Sequence, residues 1–90
     1  MPIRLTDERW VHITEEHAEL AGHRLDVLEA IREPERIVPG NAGELLALRR
    51  QQDGKFLVVV YREEGVGGFV ITAFLTRRTA SLDKRKQIWP

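Results

Sequence analysis

Ninety residues suffice for one small domain with a single core, and an apolar content of 42% excludes a disordered polyelectrolyte. Fourteen basic and fourteen acidic side chains cancel, so no net field draws the chain toward nucleic acid. The absence of cysteine excludes disulfides and thiolate metal sites, and no apolar run approaches the ~20 residues of a bilayer span.

The segment MPIRLTDERW lacks the basic and apolar regions of a signal peptide, so the expected setting is the cytoplasm, away from membranes. The charge is unevenly spread. Acids dominate positions 1–44, whereas the stretch from Arg77 to Lys86 carries Arg77, Arg78, Lys84, Arg85 and Lys86 against Asp83 alone. A local basic strip binds phosphates even when the sum is zero. A solvated tail is the plainer reading of the same residues.

Thr6 followed by Asp7 and Glu8 reads as a helix N-cap with acids in the first turn. Trp10, Ile13, His17 and Leu20 recur at helical spacing and predict one helix from about Asp7 to Leu20, stopped by Gly22. A second helix is predicted over Arg24 to Arg32, with Leu25, Leu28 and Ile31 on one stripe and Val27 beside it. Pro34 ends it, because the residue before a proline is pushed out of the helical region. The stretch Ile37–Gly43 holds Pro39, Gly40, Asn41 and Gly43, and reads as a connector with at most a short extended piece.

From Glu44 onward the pattern is that of strands. ELLALRR and KFLVVVYRE read as a hairpin around Asp53-Gly54, and GFVITAFLT as a third strand. Trp89 suggests a tail that folds back as a short strand or helix. The expected architecture is a single α+β domain over residues 1–90. Two N-terminal helices pack on one face of a three- to four-stranded antiparallel sheet.

A two-residue turn at Asp53-Gly54 would pair Arg50 with Leu57, Leu48 with Val59 and Leu46 with Tyr61. Phe56, Val58, Val60, Phe69, Ile71, Ala73 and Leu75 would then form the face that receives the helices. The opposite face would hold Leu46, Leu48, Arg50, Leu57, Val59, Tyr61, Val70, Thr72, Phe74 and Thr76. Its apolar heart calls for a cover: a ligand, the tail or a second copy of the chain.

Several residues on these elements carry chemistry. His17 is a candidate proton-transfer group, and its bland alternative is a core histidine with one nitrogen satisfied. His12 lies five residues earlier, about 140° around the helix, so the two imidazoles cannot share a metal. His23 reads as a surface residue at the helix break. Thr72 and Thr76 share a strand face, and Thr72 between Val70 and Phe74 needs a partner for its hydroxyl if buried. Arg50, Lys55 and Arg62 flank the central strand, with Arg50 and Arg62 falling on opposite faces by the pleat. Arg77 and Arg78 follow the third strand and can clamp a phosphate.

Helices followed by an antiparallel sheet, with HITEEH ending in His17 and Thr72-Ala73-Phe74 in a late strand, resemble the barnase–EndoU–colicin–RelE superfamily of metal-independent ribonucleases. The likeness is to its small phage and prokaryotic members of unknown function, and it covers most of residues 6–76. Glu16 stands where the family often has arginine, and Phe74 where it often has tyrosine.

The resemblance implies an endoribonuclease of toxin or phage type that cleaves RNA by transesterification without a cofactor or metal. His17 would move the proton, Thr72 would hold a phosphate oxygen, and Arg50 would offset charge on the phosphorane. His12, Tyr61, Arg62, Thr76 and Arg77 would bind substrate, with Tyr61 stacking a base. RNA and an antitoxin or immunity protein are the implied partners. The two departures open a second reading, a non-catalytic relative that binds RNA or protein through the same face. A third is a homodimer closed over that face.

Overall fold

The structure is a computed structural model that describes residues 2–89. Thr6 starts the first helix, α1 (Asp7–Glu16), by accepting a hydrogen bond from the Arg9 N–H at 3.1 Å. The helix ends one turn earlier than its apolar spacing predicts. His17 leaves helical geometry at φ −130°, ψ 74°, and its N–H closes on the Ile13 carbonyl. A single 3-10 turn, Ala18–Leu20, carries the chain on to Gly22 at φ +85°. This break turns Leu20 into the core while His17 stays at its rim.

The second helix, α2 (Arg24–Arg32), has the predicted bounds but not the predicted buried stripe. Val27 and Ala30 are sealed, Ile31 packs beside them, and Leu25 is 80% exposed. Small Ala30, with Ala47 and Ala73 in the same cluster, lets the helix layer approach the sheet closely.

Five strands form one mixed sheet: β1 (Ile3–Arg4), β2 (Arg36–Pro39), β3 (Leu45–Arg50), β4 (Phe56–Glu64) and β5 (Gly67–Thr76), in the order β1-β5-β4-β3-β2. The sheet therefore exceeds the expected three to four antiparallel strands at both edges. The predicted connector contains a true strand, β2, antiparallel to β3. At the other edge β1 runs parallel to β5, with Ile3 opposite Gly68 and Arg4 opposite Phe69. Gly68 makes that approach possible, since a Cβ there would lie 2.3 Å from the Arg62 carbonyl and 2.9 Å from Ile3 Cδ1.

The loop between β3 and β4 overturns the predicted faces. It is a 3-10 turn, Gln52–Gly54, closed by the Gln51 N–H on the Lys55 carbonyl at 2.7 Å. Leu46, Leu48 and Arg50 therefore pair with Val60, Val58 and Phe56, one step from the two-residue-turn register. A bulge adds a second shift: Val60 pairs with Thr72 but Tyr61 with Val70, leaving Ile71 extra. The helices consequently cover Ala47, Leu57, Val59, Tyr61, Val70 and Ala73. The face of Phe56, Val58 and Val60 looks the other way.

That second face is partly closed by the tail, which does fold back. A short helix, α3 (Ala80–Asp83), lays Leu82 against Val38, Leu46, Leu48 and Val58. Asp83 pairs with Arg36 at 2.5 Å, and Arg85 donates to the Pro39 carbonyl and to Asn41 Oδ1, each at 2.9 Å. The Ile37 N–H donates to the Trp89 carbonyl at 2.7 Å, so the tail adds a bridge to β2. Among the described residues no helix is long and apolar enough to cross a membrane.

Candidate functional site

α3 covers the β2–β3 half and Val58 of β4, and the rest of the β4–β5 half of the second face stays partly exposed. Residues paired across a sheet point to the same side, so the register writes this surface as rows. Thr76, Phe56 and Arg50 make one row; Phe74, Val58 and Leu48 the next; Thr72, Val60 and Leu46 a third. Arg4, Phe69 and Arg62 make the last. All three phenylalanines of the chain thus lie on one face, each half-buried, while aliphatic side chains, Tyr61 and Trp10 fill the helix side.

His17 reaches this face around the edge of β5. β1 pairs with β5 only at Gly68 and Phe69, and α1 packs along β5 beyond them, with Arg9 Nη1 donating to the Ile71 carbonyl at 3.5 Å. At the end of that helix the His17 ring lies 6.2 Å from the Phe74 ring, tilted by 38°. Its side chain is 32% exposed, with Nδ1 3.8 Å from Glu19 Oε2. It is neither sealed in the core nor fully in solvent.

Thr72 stands on the same strand face as Phe74, about 7 Å along the strand by the pleat repeat. Its Oγ1 is buried and has no hydrogen-bond partner among the described residues. Such a hydroxyl costs about 1–3 kcal/mol if left unpaired, so packing alone does not account for it. Thr72 is therefore the next position on the strand face whose Phe74 ring meets His17.

Arg50 does not join them. The register sets it two strands and two rows from Thr72, roughly 16 Å away. Its guanidinium stacks over Phe56 at 5.4 Å, making it a cation at the rim of the face. Arg62 shares that face with Arg50, contrary to the opposite faces expected from the pleat, because the longer turn shifts β3 by one residue. Its Nη2 donates to the Ala42 carbonyl at 2.7 Å, so it also ties down the loop before β3.

Tyr61 is not placed to stack a base on the open face. The shifted register turns it to the helix side, where it is 5% exposed and lines a recess with Ile3, Leu28 and Ile31. Burial, with a smaller push from Glu63, raises its hydroxyl pKa above the ordinary 10.0. His12 lies on the outer side of α1, with Nε2 2.7 Å from Glu16 Oε1. Thr76 caps the end of β5 by accepting from the Arg78 N–H at 3.0 Å. Arg77 packs toward the β3–β4 loop, where a Cβ on Gly54 would sit 3.5 Å from its Nη1.

The structure adds Arg4, Arg9, Phe69 and Phe74 to the residues that frame the face. A strand of two residues has no alternation to read, and nothing local says that α1 lies along β5. The clustering of every phenylalanine in or beside two strands was the available signal. Among the described residues no group of His, Asp and Glu side chains converges as metal ligands.

The fold and this face define an α+β protein with a half-open sheet surface, aromatic at its floor and cationic at its rim. The chain matches no family model, no curated protein and no solved structure.

Proposed function

We propose that this protein is a metal-independent endoribonuclease of toxin or phage type, acting on single-stranded RNA across the open half of its sheet. The observation that carries the reading is the contact of His17 with Phe74, which shares its strand face with Thr72, whose hydroxyl has no partner among the described residues. Unpaired bases stack on half-exposed aromatic rings, and arginines around them position phosphates without regard to sequence. The local cations supply this although the net charge is zero. The likeness of HITEEH and Thr72-Ala73-Phe74 to barnase–EndoU–colicin–RelE-type ribonucleases supports the same chemistry.

In this reaction His17 takes the proton of a 2′-hydroxyl, whose oxygen bonds to the adjacent phosphorus. The bond to the 5′-oxygen breaks, and that oxygen takes a proton from solvent. The products are a 2′,3′-cyclic phosphate and a 5′-hydroxyl. Rotation of the Thr72 side chain out of the floor, where its Oγ1 is buried, lets the hydroxyl donate to a non-bridging oxygen as charge builds there. Phe74 holds the neighbouring base, and Arg50 over Phe56 serves the bound strand rather than the phosphorane.

Glu16 and Phe74, in place of the arginine and tyrosine frequent in that superfamily, favour one second reading: a relative that binds RNA on the same face without cutting it. Incubating the protein with single-stranded RNA in excess chelator separates the two. Cleavage to cyclic-phosphate ends, blocked by a 2′-deoxy substitution at the cut site, is the expected result. Salt-sensitive binding without cleavage supports the second reading. Salt-insensitive self-association through the face would remove both.

A further inference from the structure

The row nearest β1 takes no part in the chemistry just described, yet it is built as a recess. Arg4, Thr6, Arg9, Phe69 and Val70 enclose about 290 Å³ between β1, the start of α1 and β5. Arg4 points to the open face because its strand neighbour is Phe69, and Gly68 holds β1 close enough to keep it there. Its guanidinium has no hydrogen bond or ion pair among the described residues. Of the acids in the first turn of α1, Asp7 is engaged by Arg24 at 2.6 Å, and Glu8 lines a separate recess with His12.

The contrast with the other arginines is informative. Arg24, Arg36, Arg49, Arg62 and Arg85 each bind a carboxylate or a carbonyl that holds two segments together. Arg4 holds nothing. A side chain left this way beside a half-buried ring suits a ligand with an anion next to a flat apolar group, which describes a nucleotide.

We infer that this recess is a nucleotide subsite for RNA extending beyond the cleaved bond, with the base on Phe69 and its phosphate between Arg4 and Arg9. This rests on the ribonuclease reading and extends it to a substrate longer than the reacting dinucleotide. Phe69 lies roughly 13 Å along β5 from Phe74, the bulge at Ile71 absorbing one residue. A strand bound on both rings must therefore bridge the row of Thr72 and lie along β5 between its His17 end and β1.

The test compares kcat/KM for a dinucleotide and for a hexanucleotide with the same cut site, using the full chain and its Phe69→Leu and Arg4→Gln variants. Leucine keeps the apolar bulk of Phe69, and Arg4 is exposed, so neither change threatens the fold. The wild type should favour the hexanucleotide, and each variant should lose about tenfold of that advantage. Arg4→Gln should also reduce the slope of log affinity against log salt by about one. An unchanged ratio in both variants, or no length preference in the wild type, overturns the subsite while leaving the ribonuclease reading intact. Cleavage of neither RNA by the wild type overturns the ribonuclease reading itself.

Discussion

The imidazole of His17 and the ring of Phe74 meet at 6.2 Å across the free edge of β5, although they belong to elements on opposite sides of the sheet. The contact exists because α1 gives up its last predicted turn. Had the helix run on to Leu20, His17 would lie in its apolar stripe beside Ile13. Released at the C-cap, it turns around the strand edge and joins the open face.

His17→Ala tests what that contact is for. The side chain is one-third exposed, so its loss should change the unfolding free energy by no more than about 1 kcal/mol in a urea titration. RNA cleavage should fall by about 10²-fold or more. A collapse of stability instead would assign the ring a packing role.

Thr72→Val removes a hydroxyl that has no partner among the described residues and keeps the shape of the side chain. Stability should hold or rise by up to about 1 kcal/mol, while cleavage declines. A variant that is both less stable and equally active would mean that the hydroxyl serves the fold.

Gly68→Ala probes the pairing of β1 with β5. The new Cβ would press on the Arg62 carbonyl of β4 and on Ile3 Cδ1 of β1, so β5 must shift against both neighbouring strands. A loss of about 1–3 kcal/mol is expected, together with faster hydrogen exchange at residues 3–5. Wild-type exchange in the variant would contradict the edge strand.

Tyr61 provides a pH test with a single reporter, since it is the only tyrosine. Burial raises its pKa, so absorbance of the phenolate should appear above pH 10.0 in the folded protein. The unfolded chain releases this proton first. Between the ordinary value and the folded one the native state holds more protons, and stability must fall as pH rises through that window. A phenolate midpoint at or below the ordinary value would place the ring in solvent.

Much of the fold was legible because its signals are local. The Thr6 cap and the Pro34 stop bound the helices, the glycine and proline cluster separates helices from strands, and Trp89 announces a tail that returns. The structure departs from the local signals where a single residue changes geometry. A three-residue 3-10 turn in place of a two-residue one exchanged the faces of β3 relative to β4. Tyr61 thereby moved into the core, and Arg50 and Arg62 came onto one face. The bulge at Ile71 cannot be read from GFVITAFLT, since an extra residue leaves composition and local propensity unchanged.

For the candidate site the division is similar. The residue types were visible, and His17, Thr72 and Arg50 were singled out by their chemistry and neighbours. Their relative placement was not, because distance across a sheet depends on register and strand order, which pair residues far apart in the chain. The chain's own local preferences dictate an α+β domain, its two main helices and its β-rich second half. Which side of the sheet is partly open, which rings pave it, and that His17 stands beside Phe74 while Arg50 stands apart are settled only by packing. A one-residue slip costs nothing locally, yet it reverses every side chain on a strand.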